Sequence, residues 1–129
     1  MEGLVRPLDI AGLPPPVGPY AHATLFGDQI FVSGLLALDS HGQLVGPGDV
    51  AAQADFIFTT LGIILRDAGS SFANVAKLTF YLIDLADRVA LSDVRGRVFG
   101  AHRPASTLVQ VAGLIGHGTL LEIEAVAAK

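Results

Sequence analysis

The chain has 129 residues, a formal charge of -4, no cysteine and no tryptophan, with 51% hydrophobic and only 16% charged residues. That length suits one compact domain, and the missing thiols exclude a disulfide scaffold, thiolate metal sites and a cysteine nucleophile. The acidic balance, with basic residues scattered singly along the chain, argues against nucleic-acid binding, and no apolar stretch is long enough for a membrane span.

The start of the chain, Met1 to Pro7, has neither a basic region nor an apolar core and does not read as a signal peptide, so a soluble cytoplasmic protein is expected. Residues 1–13, and the Pro-rich piece Leu13 to Pro19 after them, read as an extended lead-in. His22 to Phe26, Gly27-Asp28 and Gln29 to Gly34 form a strand, a turn pair and a strand, the pattern of a β-hairpin. A second turn, Asp39 to Gly42, precedes a short strand at Gln43 to Val45.

Asp49 is placed to cap a helix from Val50 to Ala68, in which Val50, Ala54, Ile57, Phe58, Leu61, Ile64 and Leu65 follow helical spacing and Gly69 supplies the stop. Val75 to Ile83 reads as a strand. Asp87 is expected to cap a second helix that turns Ala90, Leu91, Val94 and Val98 inward and ends at Gly100. Thr107 to Ala112 and Thr119 to Ala127 read as the final strands.

This order gives an α+β domain with a mixed sheet and two helices, which can cover one sheet face only. In the last strand Leu121, Ile123, Ala125 and Ala127 form one row and suit the helix-covered side. Glu122 and Glu124 then point to the other face. A charged fraction well below the usual quarter leaves more apolar surface than a small domain hides, so that face is expected to meet another subunit.

Gly46-Pro47-Gly48-Asp49-Val50-Ala51 matches a dinucleotide-binding pattern superficially, but no proper strand precedes it and no ribose-binding acid follows at the right distance. His22, His41, His102 and His117 show no metal-ligand spacing, and no metal is expected. His102 and Ser106 are close enough in sequence to suggest a nucleophilic pair, yet no nucleophile-elbow sequence surrounds the serine. Glu122 and Glu124 are acid/base candidates whose ordinary role would be that of solvated strand residues. Tyr20 is a candidate hydrogen-bond donor, and Ser33-Gly34 marks either a bulge or a place where backbone N–H groups meet an anion.

Taken in order, Gly18-Pro19-Tyr20-Ala21-His22-Ala23, Phe31 to Leu35, Asp49 to Gln53, Asp67 to Ser71, Val75 to Asp84, Phe99 to Ala105 and Leu121 to Ala127 resemble the RidA/YjgF (reactive intermediate deaminase) family over residues 14–129. The resemblance implies a chorismate-mutase-like fold, a homotrimer with ligand pockets between subunits, and hydrolysis of small reactive enamines and imines to a ketoacid and ammonia without metal or cofactor. It also implies that Glu122 activates the water, Tyr20 forms the pocket wall and Ser33-Gly34 its floor.

Active members of the family carry an arginine after the Pro-Ala pair, where it grips the substrate carboxylate. Here Pro104-Ala105 is followed by Ser106. One neutral hydroxyl replacing a charged two-pronged donor costs about 1.5–3 kcal/mol, roughly ten- to a hundred-fold in affinity for a carboxylate. Ser92 stands where the family has an asparagine in the second helix, and Gly113 where many members have another arginine. Arg103, His22 and His102 are the cations near enough to compensate, with Arg103 expected to face solvent. The expectation is therefore a deaminase-like hydrolase whose substrate preference is altered at Ser106. The alternative is a trimeric small-molecule-binding or regulatory protein without catalysis. A ribonuclease or translation inhibitor, suggested by old labels on the family, has little support in the charge.

Overall fold

The last strand in the chain sits in the middle of the sheet. The computed structural model describes residues 3–129, with β1 (Arg6–Leu8), β2 (Ala23–Phe26), β3 (Gln29–Leu36), α1 (Val50–Asp67), β4 (Val75–Leu82), α2 (Arg88–Phe99), β5 (Ala105–Gln110) and β6 (Leu121–Ala128). The sheet order is β1-β2-β3-β6-β4-β5; only β4 and β5 run parallel, so the sheet is mixed as the sequence predicts. The hairpin at Gly27-Asp28 is present, with Phe26 opposite Gln29. Arg6–Leu8, within the predicted lead-in, adds an edge strand antiparallel to β2. The short strand expected at Gln43 to Val45 is reduced to one bridge, between Leu38 and Leu44.

Helix α1 begins where an unpaired backbone N–H needs an acceptor: Asp49 Oδ1 accepts from the Ala52 N–H at 3.0 Å. It ends at Ala68 and Gly69, whose φ of +82° is open only to a residue without a Cβ. The second helix differs from expectation. Asp87 holds the N-cap position of α2 but its side chain caps nothing, while Asp84 caps the preceding 3-10 turn by accepting from the Ala86 N–H. That extra turn takes the capping chemistry one step earlier in the chain.

Both helices lie on one sheet face. Ile57, Phe58, Leu61 and Ile64 of α1 and Leu91 and Val94 of α2 bury themselves against Leu78 and Phe80 of β4 and the row Leu121, Ile123, Ala125 and Ala127 of β6. Ala90 and Val98 are only partly buried, and Phe99 fills the end of the helix instead. Its ring meets Phe58 edge-on at 5.7 Å and Phe72 at 5.4 Å. The two rows predicted for β6 are both observed, with Glu122, Glu124 and Val126 on the helix-free side.

One buried polar residue fastens α1 to the chain around β6. Gln53, fully buried, donates to the carbonyls of Gly46 and Gly118 and accepts from the Leu120 N–H at 2.9 Å. Truncation leaves the Gly118 carbonyl and the Leu120 N–H without these partners, while the Gly46 carbonyl keeps the Asp49 N–H at 3.0 Å. Gln53→Ala is therefore expected to lower stability by about 2–4 kcal/mol, read as a lower urea midpoint with an unchanged slope.

Candidate active site

Strand β3 pairs with β6 in two registers: Val32 faces Ala125, but Leu35, three residues on, faces Ile123, two residues back. The extra residue makes a β-bulge at Ser33-Gly34. The bulge brings the Gly34 backbone against the Glu122 side chain. A Cβ at Gly34 would lie 2.8 Å from Glu122 Cδ and 3.1 Å from Cγ, so a glycine is the condition for this approach. Ser33 is turned the other way, its hydroxyl donating to the Ala21 carbonyl at 2.7 Å.

Tyr20, Ser33 and Gly34 line one hollow, roofed by the Pro-rich segment Pro14 to Val17. That segment is held by His22, whose Nδ1 accepts from the Ile10 N–H at 3.0 Å and whose Nε2 donates to the Pro14 carbonyl at 2.8 Å. Both ring nitrogens are thus used in fastening the chain. His22 is a structural tie and supplies no cation to a ligand. Tyr20 is 46% exposed and lays its ring over Gly18.

Glu122 and Glu124 share the helix-free face, but their surroundings separate them. Glu124 Oε1 accepts the phenolic hydroxyl of Tyr81, and this bond raises the tyrosine's own pKa. Among the described residues none donates to Glu122. Partial burial, and secondarily the nearby Glu124 charge, push the Glu122 carboxyl above the usual carboxylate range. A carboxylate poised to take a proton near a cleft is a candidate general base.

The remaining predicted residues lie elsewhere on this protomer. Ser92 of α2 lines a second cleft, of about 430 Å³, together with Phe80, Arg88, Arg95 and Leu108. Ser106 of β5 accepts a hydrogen bond from Arg95 Nη1 at 2.8 Å. One protomer thus groups Tyr20, Ser33 and Gly34 in one hollow, with Glu122 against Gly34 but not among the residues that line it, and separately places Ser92 and Ser106 beside Arg95. The His102–Ser106 pair does not form, because His102 Nε2 donates to the Val75 carbonyl at 2.8 Å. Arg103 is exposed, as expected.

Arg95 is the residue that sequence reasoning missed. Its signal is present in the helix: it falls one turn after the buried Leu91 and next to the buried Val94, on the stripe that faces the sheet. Among the described residues no group of three or more His, Asp or Glu comes together to hold a metal, and no helix is long and apolar enough to cross a membrane.

A mixed sheet covered by two helices on one face, with a carboxylate at a bulge on the other, defines the class of small α+β protein to which this chain belongs. A family model described as Endoribonuclease L-PSP matches residues 12–129, and the chain is a member of that family, the RidA/YjgF proteins. It is 41% identical to the 2-iminobutanoate/2-iminopropanoate deaminase of Bos taurus, covering 100% of this chain and 94% of the relative. It is 40% identical to the 3-aminoacrylate deaminase RutC of Acinetobacter baylyi, over 90% and 91% of the two chains. Among solved structures, RidA from the Antarctic bacterium Psychrobacter superposes with a TM-score of 0.89 at 30% identity, covering 96% of this chain and 99% of that one.

Proposed function

We propose that the chain is a hydrolytic deaminase of small reactive imines or enamines, and that it works as a homotrimer. The observation that carries this reading is the half-buried Glu122 carboxylate, raised in pKa and set against the Gly34 bulge beside the Tyr20 hollow. The activities for which the Bos taurus and Acinetobacter relatives are named support it.

An imine carbon is already electrophilic, so the site has little to supply beyond a placed water and a proton acceptor. Glu122 takes a proton from the water as its oxygen bonds to the imine carbon. The C=N electron pair goes to nitrogen, which takes that proton to give the carbinolamine. The carbinolamine hydroxyl then passes its own proton by way of Glu122 to the nitrogen as the C–N bond breaks, and the products are a ketone and ammonia. An enamine enters the same route after proton transfer to its carbon converts it to the imine. Nothing is oxidised or reduced, and no cofactor enters the balance.

Trimer formation would bring the Ser92 and Arg95 cleft of one protomer to the Tyr20 hollow and the adjacent Glu122 of the next. The exposed Phe31 and Val109, 40% and 39% accessible, support a covered sheet face. We further propose that preference among imines differs from that of relatives with an arginine at the Ser106 position. Any guanidinium at that point in this chain arrives from α2 and not from the strand.

The test is ammonia release from a panel of imines generated in the assay, run alongside a measurement of mass in solution. The expected result is release well above the uncatalysed rate from a particle of three protomers. Release at the background rate for every imine overturns the hydrolytic reading, and a monomeric mass overturns the shared site.

A further inference from the structure

Arg95 is held in a way that surface arginines are not. Its guanidinium carbon lies 5.2 Å from the centre of the Phe80 ring, a residue with no exposure, and Nη1 donates to Ser106 Oγ at 2.8 Å. A guanidinium has five N–H donors in a rigid plane, and one hydroxyl uses one of them. Among the described residues no carboxylate lies within 4 Å of it; the nearby Arg97, by contrast, reaches Asp55 at 4.0 Å. Partial burial lowers the Arg95 pKa from its ordinary value.

Its remaining donors, still reached by solvent, are free to take an anion. The cleft in front of it has the chemistry for a small one. Arg88 adds a second positive charge, Ser92 a hydroxyl, and Leu108 an apolar wall. Asp93 also lines the cleft and opposes a dianion, so a singly charged planar group fits better than a phosphate.

We infer that Arg95 is the specificity-determining residue that grips the carboxylate of a small guest, with Ser106 and the Phe80 ring holding its guanidinium plane. The inference rests on the imine-hydrolase reading for where the guest reacts, but not for how it is held. It makes Ser106 a positioning residue: the serine does not bind the carboxylate but orients the arginine that does.

The test is calorimetric titration of the intact protein with pyruvate and with its neutral amide, pyruvamide. Wild type is expected to bind pyruvate at least about tenfold more tightly than pyruvamide. Arg95→Gln is expected to abolish that difference, whereas Arg97→Gln keeps it. Arg95→Lys, close in size and charge, guards against a folding defect and is expected to retain only part of the preference, since an ammonium lacks the fork. Equal binding of the two compounds by wild type, or a preference that survives Arg95→Gln, overturns the inference.

Steady-state kinetics then separate this inference from the reading beneath it. Arg95→Gln is expected to raise KM for a carboxylate-bearing imine more than it lowers kcat, and to leave an imine without a carboxylate unaffected. A protein that releases no ammonia yet shows the Arg95-dependent preference keeps the grip and loses the hydrolysis. One that hydrolyses both imines alike, with or without Arg95, keeps the hydrolysis and loses the grip.

Discussion

Glu122→Gln is expected to slow imine hydrolysis by about a hundred- to ten-thousand-fold, the usual range for removing a positioned general base. Glutamine keeps the shape and can still hold a water by a hydrogen bond, but it cannot take the proton. The pH profile carries the same prediction with a definite sign. Burial and the Glu124 charge raise the Glu122 pKa above its ordinary value of 4.5, and the base acts only when ionised. In wild type kcat/KM should therefore climb with pH through a midpoint above 4.5, and this limb should vanish in Glu122→Gln.

Stability responds in the opposite direction. The folded state holds this proton more tightly than the unfolded state, so folding is favoured most below the unfolded pKa. That contribution fades as pH rises through the raised value. Glu122→Gln lacks the fade and should melt no lower than wild type in the neutral range. Melting curves from about pH 4 to about pH 8 check the sign. A variant that is less stable than wild type at neutral pH would mean that the carboxylate is a structural group, stabilised and not strained by its surroundings.

Gly34→Ala is expected to cost activity on the same scale, about a hundredfold or more, with little loss of stability. The added methyl meets Glu122 Cδ and Cγ inside normal contact distances, and the atoms it meets belong to a flexible side chain and not to backbone. The sheet can therefore persist while the carboxylate swings out of place. Unchanged secondary structure with lost turnover, and with the rising pH limb moved towards the ordinary carboxylate value, is the expected signature. Full activity in Gly34→Ala would show that the carboxylate does not act from the position it occupies beside the bulge.

Where the sequence is informative, a short-range rule is at work. The alternation of Leu121, Ile123, Ala125 and Ala127 with Glu122 and Glu124 assigns each residue to its face, because strand side chains alternate strictly. Asp49, the apolar spacing from Val50 to Leu65, and Gly69 bound α1 almost to the residue. Ser33-Gly34 is legible as a bulge or an anion site without a choice between them, and the register of β3 on β6 makes it a bulge.

The misses are of another kind. Arg6–Leu8 has no alternation of its own and becomes a strand only because β2 offers an edge. Asp84 and Asp87 are equally good caps on paper, and the short 3-10 turn decides between them. Closeness in the chain and charge point to Arg103, His22 and His102 as compensation for the residue at 106. The guanidinium that reaches Ser106 comes instead from eleven residues away on a helix, and helix periodicity marks which side a residue faces, not which strand lies beneath it.

The central position of β6 bears on how the protein comes into being. Without β6, β1-β2-β3 and β4-β5 would be two separate ribbons, each with an unpaired edge for the same strand. Only when Leu121–Ala128 has emerged can they be zipped together. Glu122, the proposed base, is carried by that zipper. Products cut short before it would expose both edges and would lack the proposed base.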